Sequence, residues 1–417
     1  MVPNAAPDTA GQLIAREDAV CAHNYHPLPV VIERALDVWV WDVDGRRYLD
    51  CMSAYSAVSH GHLHPRLVAA LQAQLGKVAV TSRAFHTTML APFLEKLCAV
   101  AGFEFALPMN TGAEAVETAL KAARRWGHQV KGIADGSQEI VVASGNFHGR
   151  TTTIISFSTD EEYKAGFGPL TPGFRTFTFG DLASAEAAIT PNTCAILVEP
   201  IQGEAGIIVP PVGFLRGLRE LCDRYGILLL LDEIQSGLGR TGRMFAFEHE
   251  RIRPDGLILG KALGGGLLPV SAFLADARVM DVFGPGSHGS TFGGNPLAAA
   301  VGLEALNVLE DEELVARSAV LGRHLVDRLR AVASPLVTDI RGAGLWVGVE
   351  FDPTRVQART VVEHLAARGI LSKETHETTI RLAPPLTITR GDLDWAIDEL
   401  AAVLAEIASE PAAERGA

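Results

Sequence analysis

Cysteine is scarce in this chain, and its placement suits neither metal nor disulfide work. The five thiols (Cys21, Cys51, Cys98, Cys194, Cys222) form no CxxC pair and no zinc spacing. An odd, scattered set fits reduced core thiols in a cytosolic protein. No HExxH and no histidine cluster supports a metal, and the histidines near 59–64 read as a loop. Long apolar runs are also missing, since none approaches the roughly 20 residues of a membrane span. The N-terminal MVPNAAPDTAGQLIARED lacks an apolar signal core, and its acids fit a transit peptide poorly. Positive charge is in deficit: 36 Lys and Arg stand against 49 Asp and Glu, a net charge of −13. That balance argues against nucleic acid or an anionic membrane as the main partner. Basic groups for an anionic substrate must then be gathered locally. The expectation is a soluble, cytoplasmic protein.

Apolar material is plentiful, at 48% of the 417 residues, enough for a large core. The first 62 residues open with a polar arm and continue into VWVWDVDGRRYLDC, two strand-like runs about a turn at Asp44-Gly45. From His64, helix and strand alternate with no internal repeat. HPRLVAALQAQLGKV reads as a helix, AEAVETALKAARRW as another, and EIVVAS (139–144) and CAILVEP (194–200) as strands. Such alternation implies a parallel sheet with right-handed crossovers. From Pro296 a long helical region departs from it, and the tail reads as α+β: a strand pair around RGAG, a helix VVEHLAARG, a strand ending in TIRLAPPL, and a last helix from Gly391 capped by Thr389. The expected domains are an N-terminal segment 1–62 that packs with a small C-terminal domain 301–417, and a large domain 63–300.

The informative stretch is Tyr225–Gly266. Two all-apolar runs, Ile227–Leu231 and Leu257–Leu259, have the length of strands buried on both faces; the first ends in Asp232 and the second in Gly260-Lys261. In a parallel sheet the carboxyl ends of strands open into the ligand crevice. A lone carboxylate and a lone lysine in one dry cleft suit pyridoxal phosphate (PLP) chemistry. The lysine forms a Schiff base with the cofactor aldehyde, and the carboxylate keeps the pyridine nitrogen protonated. Taken singly, Asp232 could be a cap and Lys261 a surface residue.

Other candidates surround them. Thr111-x-x-Glu114 is a capping box, and the helix start at Gly112 offers free N–H groups to a phosphate, or is a plain cap. Phe147 could lie on a flat ring and Arg150 could hold a carboxylate bidentately. Ser290 and Thr291, among glycines, could meet phosphate oxygens or serve as ordinary turn residues. Arg381 sits among apolar neighbours, so it needs an acid or an anionic ligand. Tyr25 and Tyr55 flank the first strands. Gly237-x-Gly239-x-x-Gly242 matches a dinucleotide fingerprint, but DEIQS separates it from the preceding strand, and the context fails.

Assembled in order, NTGAEAVETALKAARRW, GNFHGRT, EPIQGEAG, LLDEIQSGLGRTG, LGKALGGGLLPVSA, HGSTFGGNPL and IRLAPPL resemble fold-type I PLP enzymes. The resemblance is to the class III aminotransferases, and among them to the ornithine aminotransferase branch, over roughly Tyr25 to Arg390. It implies an α/β fold with a mainly parallel seven-stranded sheet plus a smaller α+β domain. It also implies PLP as cofactor, a homodimer or higher even oligomer, and amino acid and 2-oxo acid substrates. Lys261 would carry the cofactor and shuttle a proton, while Asp232 would pair with the pyridine nitrogen. Gln235 would bond the phenolic oxygen and Phe147 would stack. Gly112 and Ala113 would give phosphate N–H contacts, and Ser290 and Thr291 would reach the neighbouring subunit's cofactor phosphate.

Arg150 would bind a substrate carboxylate, and Glu204 and Arg381 would form a switchable pair. Tyr25 and Tyr55 would hold the α end of ornithine. The implied reaction transfers the δ-amine of L-ornithine to 2-oxoglutarate; the semialdehyde product cyclises to pyrroline-5-carboxylate. The alternatives are an acetylornithine or other ω-amine aminotransferase, or a PLP lyase or racemase. Phe292 and His86 stand where relatives often carry tyrosine.

Overall fold

A computed structural model describes residues 8–409; the remaining ends of the expected outer segments lie outside the described residues. The chain begins with an antiparallel meander: β1 (Ile32–Leu36), β2 (Trp39–Asp42) and β3 (Arg47–Asp50). The turn falls where Asp42 accepts from the amides of Asp44 and Arg46.

Seven strands then build the central sheet: β4 (Phe105–Met109), β5 (Glu139–Ala143), β6 (Phe174–Phe177), β7 (Thr193–Val198), β8 (Leu228–Asp232), β9 (Gly256–Leu259) and β10 (Ser271–Ala275). Their spatial order is β4-β10-β9-β8-β7-β5-β6. The four pairings from β9 to β6 are parallel, and only β10 runs against its neighbours. Every residue of β7, β8 and β9 is buried. Their side chains alternate between two cores. Leu228, Leu230, Leu197 and Ile258 face one side, against the Gly112–Gln129 helix, while Leu229, Leu231, Ile196 and Leu257 face the other. Burial on both faces is why these runs lack the polar alternation of a half-exposed strand.

The rest of the chain forms β11 (Val337–Gly342), β12 (Val347–Phe351), β13 (Ile370–Leu371), β14 (Lys373–Thr375) and β15 (Thr379–Leu382). Four of these make an antiparallel sheet in the order β11-β12-β15-β14. Strand β13 instead adds in parallel to β3, so the two ends of the chain share one sheet. The architecture is the expected α/β one, with a large mostly parallel sheet and smaller sheets beside it. The expected boundary at 300/301 falls inside the Pro296–Asp311 helix. The long helical region is two helices, broken where Glu313 takes a left-handed φ of 50° before the Leu314–Val332 helix. The glycines of the set-aside fingerprint serve packing here: a Cβ on Gly242 would lie 2.8 Å from the Ala319 backbone on that second helix. Between them Arg240, fully buried, donates to the carbonyls of Leu345 and Pro384 and to Ser59 Oγ.

Candidate active site

Five segments leave the carboxyl ends of mutually parallel strands and meet over the sheet, the crevice position for this topology. They are Asn110–Gly112 after β4, 144–151 after β5, 199–204 after β7, 233–236 after β8, and Gly260-Lys261 after β9. A cleft of about 680 Å³ opens there, lined by Lys261, Phe147, Arg150, Glu204, Tyr55 and Tyr25 among others. Its size is ordinary for a small-molecule site.

Lys261 starts a short turn with φ 44°, and its side chain makes no hydrogen bond among the described residues. Burial pushes its ammonium below the usual lysine range, against the opposing pull of Glu204, Asp232 and Glu199. Asp232 closes β8 and is buried. One carboxylate oxygen accepts from the Ile234 amide at 3.0 Å and the other meets His148 Nδ1 at 2.7 Å. For His148, burial favours the neutral ring, but the hydrogen bond and charge of Asp232, with Glu199 behind, raise its pKa overall. His148 Nε2 is buried without a hydrogen-bond partner among the described residues.

Glu199 also had no place in the sequence-based set. Its carboxylate accepts from the Phe147 amide at 3.0 Å, and burial, the dominant influence, pushes it up to about 7. The signals for both were present: a histidine between Phe147 and Arg150, and an acid ending the apolar run CAILV.

The capping box is formed: the Glu114 amide donates to Thr111 Oγ1 at 3.2 Å and Glu114 Oε2 accepts from the Thr111 amide at 2.7 Å. The N-terminal amides at Gly112 and Ala113 therefore head an 18-residue helix, a favourable place for an anion. Gly203 leaves room beside Gln235, since a Cβ there would sit 1.7 Å from Gln235 Oε1. Gln235 Nε2 donates to the Tyr55 carbonyl at 3.5 Å.

Arg381, on β15, is buried and donates to Glu204 at 2.7 Å; the Tyr55 ring lies 5.0 Å beneath its guanidinium. Burial alone would raise the Glu204 carboxyl, yet Arg381 and Lys261 together hold it below the usual range. Arg150 is exposed and forms no ion pair among the described residues; it lies over the Tyr163 ring at 4.0 Å. Tyr25 is 77% exposed at the cleft mouth.

Ser290 and Thr291 stand apart from this cleft lining. Ser290 accepts from Asn110 Nδ2 at 2.8 Å, and Thr291 and Phe292 face outward. Their strip is moored by His288, whose ring nitrogens meet Thr118 Oγ1 and Lys121 Nζ, each at 2.8 Å.

The set fits a pyridoxal phosphate group: a half-buried uncommitted amine, a buried carboxylate braced by histidine, a capped helix start, and a ring nitrogen with no partner among the described residues. On this sheet, those features define a fold-type I PLP enzyme. The family model for aminotransferase class-III matches residues 20–404. An ornithine aminotransferase of Brevibacillus brevis is 55% identical over 392 residues, covering 94% of this chain and 98% of the relative. A crystal structure of the ornithine aminotransferase from Toxoplasma gondii superposes with a TM-score of 0.96 at 42% identity, covering 97% of both chains. An acetylornithine aminotransferase from Elizabethkingia anophelis superposes at 0.87 and 43% identity, covering 96% of this chain and all of the other. The chain belongs to the class-III aminotransferases, and its cofactor is pyridoxal 5'-phosphate.

Proposed function

We propose that the protein is an L-ornithine δ-aminotransferase using 2-oxoglutarate as amino acceptor, acting in the cytoplasm as a homodimer. The observation that carries the choice of donor is the Glu204–Arg381 pair, closed at 2.7 Å in the cleft that holds Lys261. While closed, the pair masks the guanidinium, so a donor's α-carboxylate goes instead to Tyr25 and Tyr55 and its distal amine points inward. When the acid swings aside, Arg381 takes the α-carboxylate of glutamate or 2-oxoglutarate, with Arg150 for the second carboxylate. One site can then serve two charge layouts.

Bound pyridoxal phosphate supplies an electron sink and the carbon that carries the amino group between donor and acceptor. The chain's own groups do the rest. Lys261 Nζ, whose pKa burial lowers, would take the proton from the donor's Cδ and give it back as general acid. Asp232, held by His148, would pair with the ring nitrogen. Phe147 would stack on the ring and Gln235 would bond its phenolic oxygen. The amides of Gly112 and Ala113 would hold the phosphate, and Ser290 and Thr291 would reach the cofactor phosphate of the partner subunit.

A second reading is an acetylornithine aminotransferase, favoured by the 43% identity to that relative. A half-reaction panel separates the two. The PLP-loaded protein is mixed separately with ornithine, acetylornithine, 4-aminobutyrate and lysine, and the cofactor absorbance is followed. Ornithine should discharge it fastest; preference for acetylornithine would move the assignment to the second reading. Repeated turnover of the donor without any 2-oxo acid acceptor, beyond the single equivalent of amine that the cofactor can take up, would instead indicate a lyase.

A further inference from the structure

We propose that Tyr163 is a positioning residue that holds Arg150 ready for a substrate carboxylate without neutralising it. The inference rests on the reading of Arg150 as a carboxylate-binding group. Arg150 lies at the mouth of the cleft with its guanidinium 4.0 Å from the Tyr163 ring centroid and 5.6 Å from that of Phe147. The two rings themselves meet edge to face at 6.1 Å. A guanidinium stacked on a ring uses its flat face, which leaves its in-plane N–H fork for a planar anion.

An acid partner would hold the same side chain more tightly but would occupy that fork. Acids are close by in sequence: Asp160, Glu161 and Glu162 precede Tyr163, and Glu162 lines the same cleft. Yet among the described residues Arg150 pairs with none of them. Glu161 is taken by Lys164 at 2.7 Å, and Asp160 Oδ1 accepts from the Glu162 amide at 2.9 Å, capping the short turn that presents the tyrosine. Two of the three local acids are thus committed to the turn, and Glu162, though it lines the cleft, makes no ion pair with Arg150 among the described residues. The aromatic ring is what meets the cation. Because Tyr163 also abuts Phe147, it fixes the carboxylate-binding group relative to the residue flanking the cofactor ring.

Glutarate, an unreactive dicarboxylate, is the probe. Its affinity for the PLP-loaded dimer is measured by calorimetry, alongside the KM for 2-oxoglutarate. Tyr163→Leu should weaken glutarate roughly three- to thirtyfold, the range for a cation–π contact from exposed to desolvated. KM for 2-oxoglutarate should rise in parallel, with kcat falling much less. Tyr163→Phe, which keeps the ring, should restore both. In an Arg150→Ala background, Tyr163→Leu should add nothing further, because it acts through that arginine.

If Arg150→Ala weakens glutarate while Tyr163→Leu stays within twofold of the unaltered protein, the role of Tyr163 is overturned and that of Arg150 stands. An equal loss from Tyr163→Leu with and without Arg150 overturns it as well, as does damage from Tyr163→Phe matching that of Tyr163→Leu. If Arg150→Ala itself leaves glutarate binding unchanged, both assignments fall.

Discussion

Lys261 must be uncharged when it accepts a proton, and burial, which depresses its pKa, provides for that. Lys261→Arg keeps a cation but cannot exchange a proton near neutral pH. Its turnover should fall at least about 10²–10⁴-fold, while thermal melting stays close to that of the parent; transamination above that range would remove Lys261 from its assigned role. Glu199 gives a second test, through pH. Burial raises its carboxyl to about 7, so the folded protein holds that proton more tightly than the unfolded chain. A group of this kind loses stabilising effect as pH rises from its unfolded value, about 4.3, through 7. Glu199→Gln cannot ionise and still offers an acceptor to the Phe147 amide. It should gain on the parent between about pH 5 and about pH 8, by on the order of 2–3 kcal/mol. Melts at both pH values check this, and a gap that does not widen would show that Glu199 does not titrate in that window.

Among the elements, the turn that presents Tyr55 carries the most conformational strain. Ser53, Ala54, Tyr55 and Ser56 all have positive φ, 48°, 46°, 59° and 73°. Each non-glycine residue so placed costs about 1–2 kcal/mol, so neighbours must hold the turn. Asp50 Oδ1 accepts from the amides of Met52 and Ser53 at 2.8 and 2.9 Å, and Ser53 Oγ donates to the Ala383 carbonyl, two residues beyond Arg381. Asp50→Ala should cost about 1–3 kcal/mol and raise KM for ornithine more than for 2-oxoglutarate. Denaturant unfolding and steady-state kinetics read the two effects; equal rises in both KM values would detach the turn from donor binding. This turn was not legible in the sequence, because serine and alanine carry no signal for a left-handed run. Strands β7, β8 and β9 were legible, since burial on both faces leaves an apolar run ended by glycine or an acid. The break at Glu313 was hidden because LEDEELVAR keeps helical spacing across it. The bond between His148 and Asp232 was also hidden, spanning 84 positions that only the sheet order brings together.

At the scale of the whole molecule, apolar groups remain uncovered on the single chain. Phe85 is 70% exposed, Phe292 55% and Leu75 61%, and Phe292 adjoins the Ser290-Thr291 strip. In the proposed homodimer a second copy would cover them. Phe292→Asp should shift the protein toward monomer in sedimentation and weaken PLP retention; an unchanged dimer would take that residue out of the interface. The pairing of β13 with β3 bears on how the molecule is made. Leu49 and Asp50 find their partners only at Ile370 and Leu371, about 320 residues later. At roughly 5–20 residues per second of synthesis, the amino-terminal meander waits on the order of 15–65 seconds with one edge open. Until the ribosome delivers that short partner strand, the newborn chain exposes a sticky border, and the time spent in that state favours a chaperone's attention.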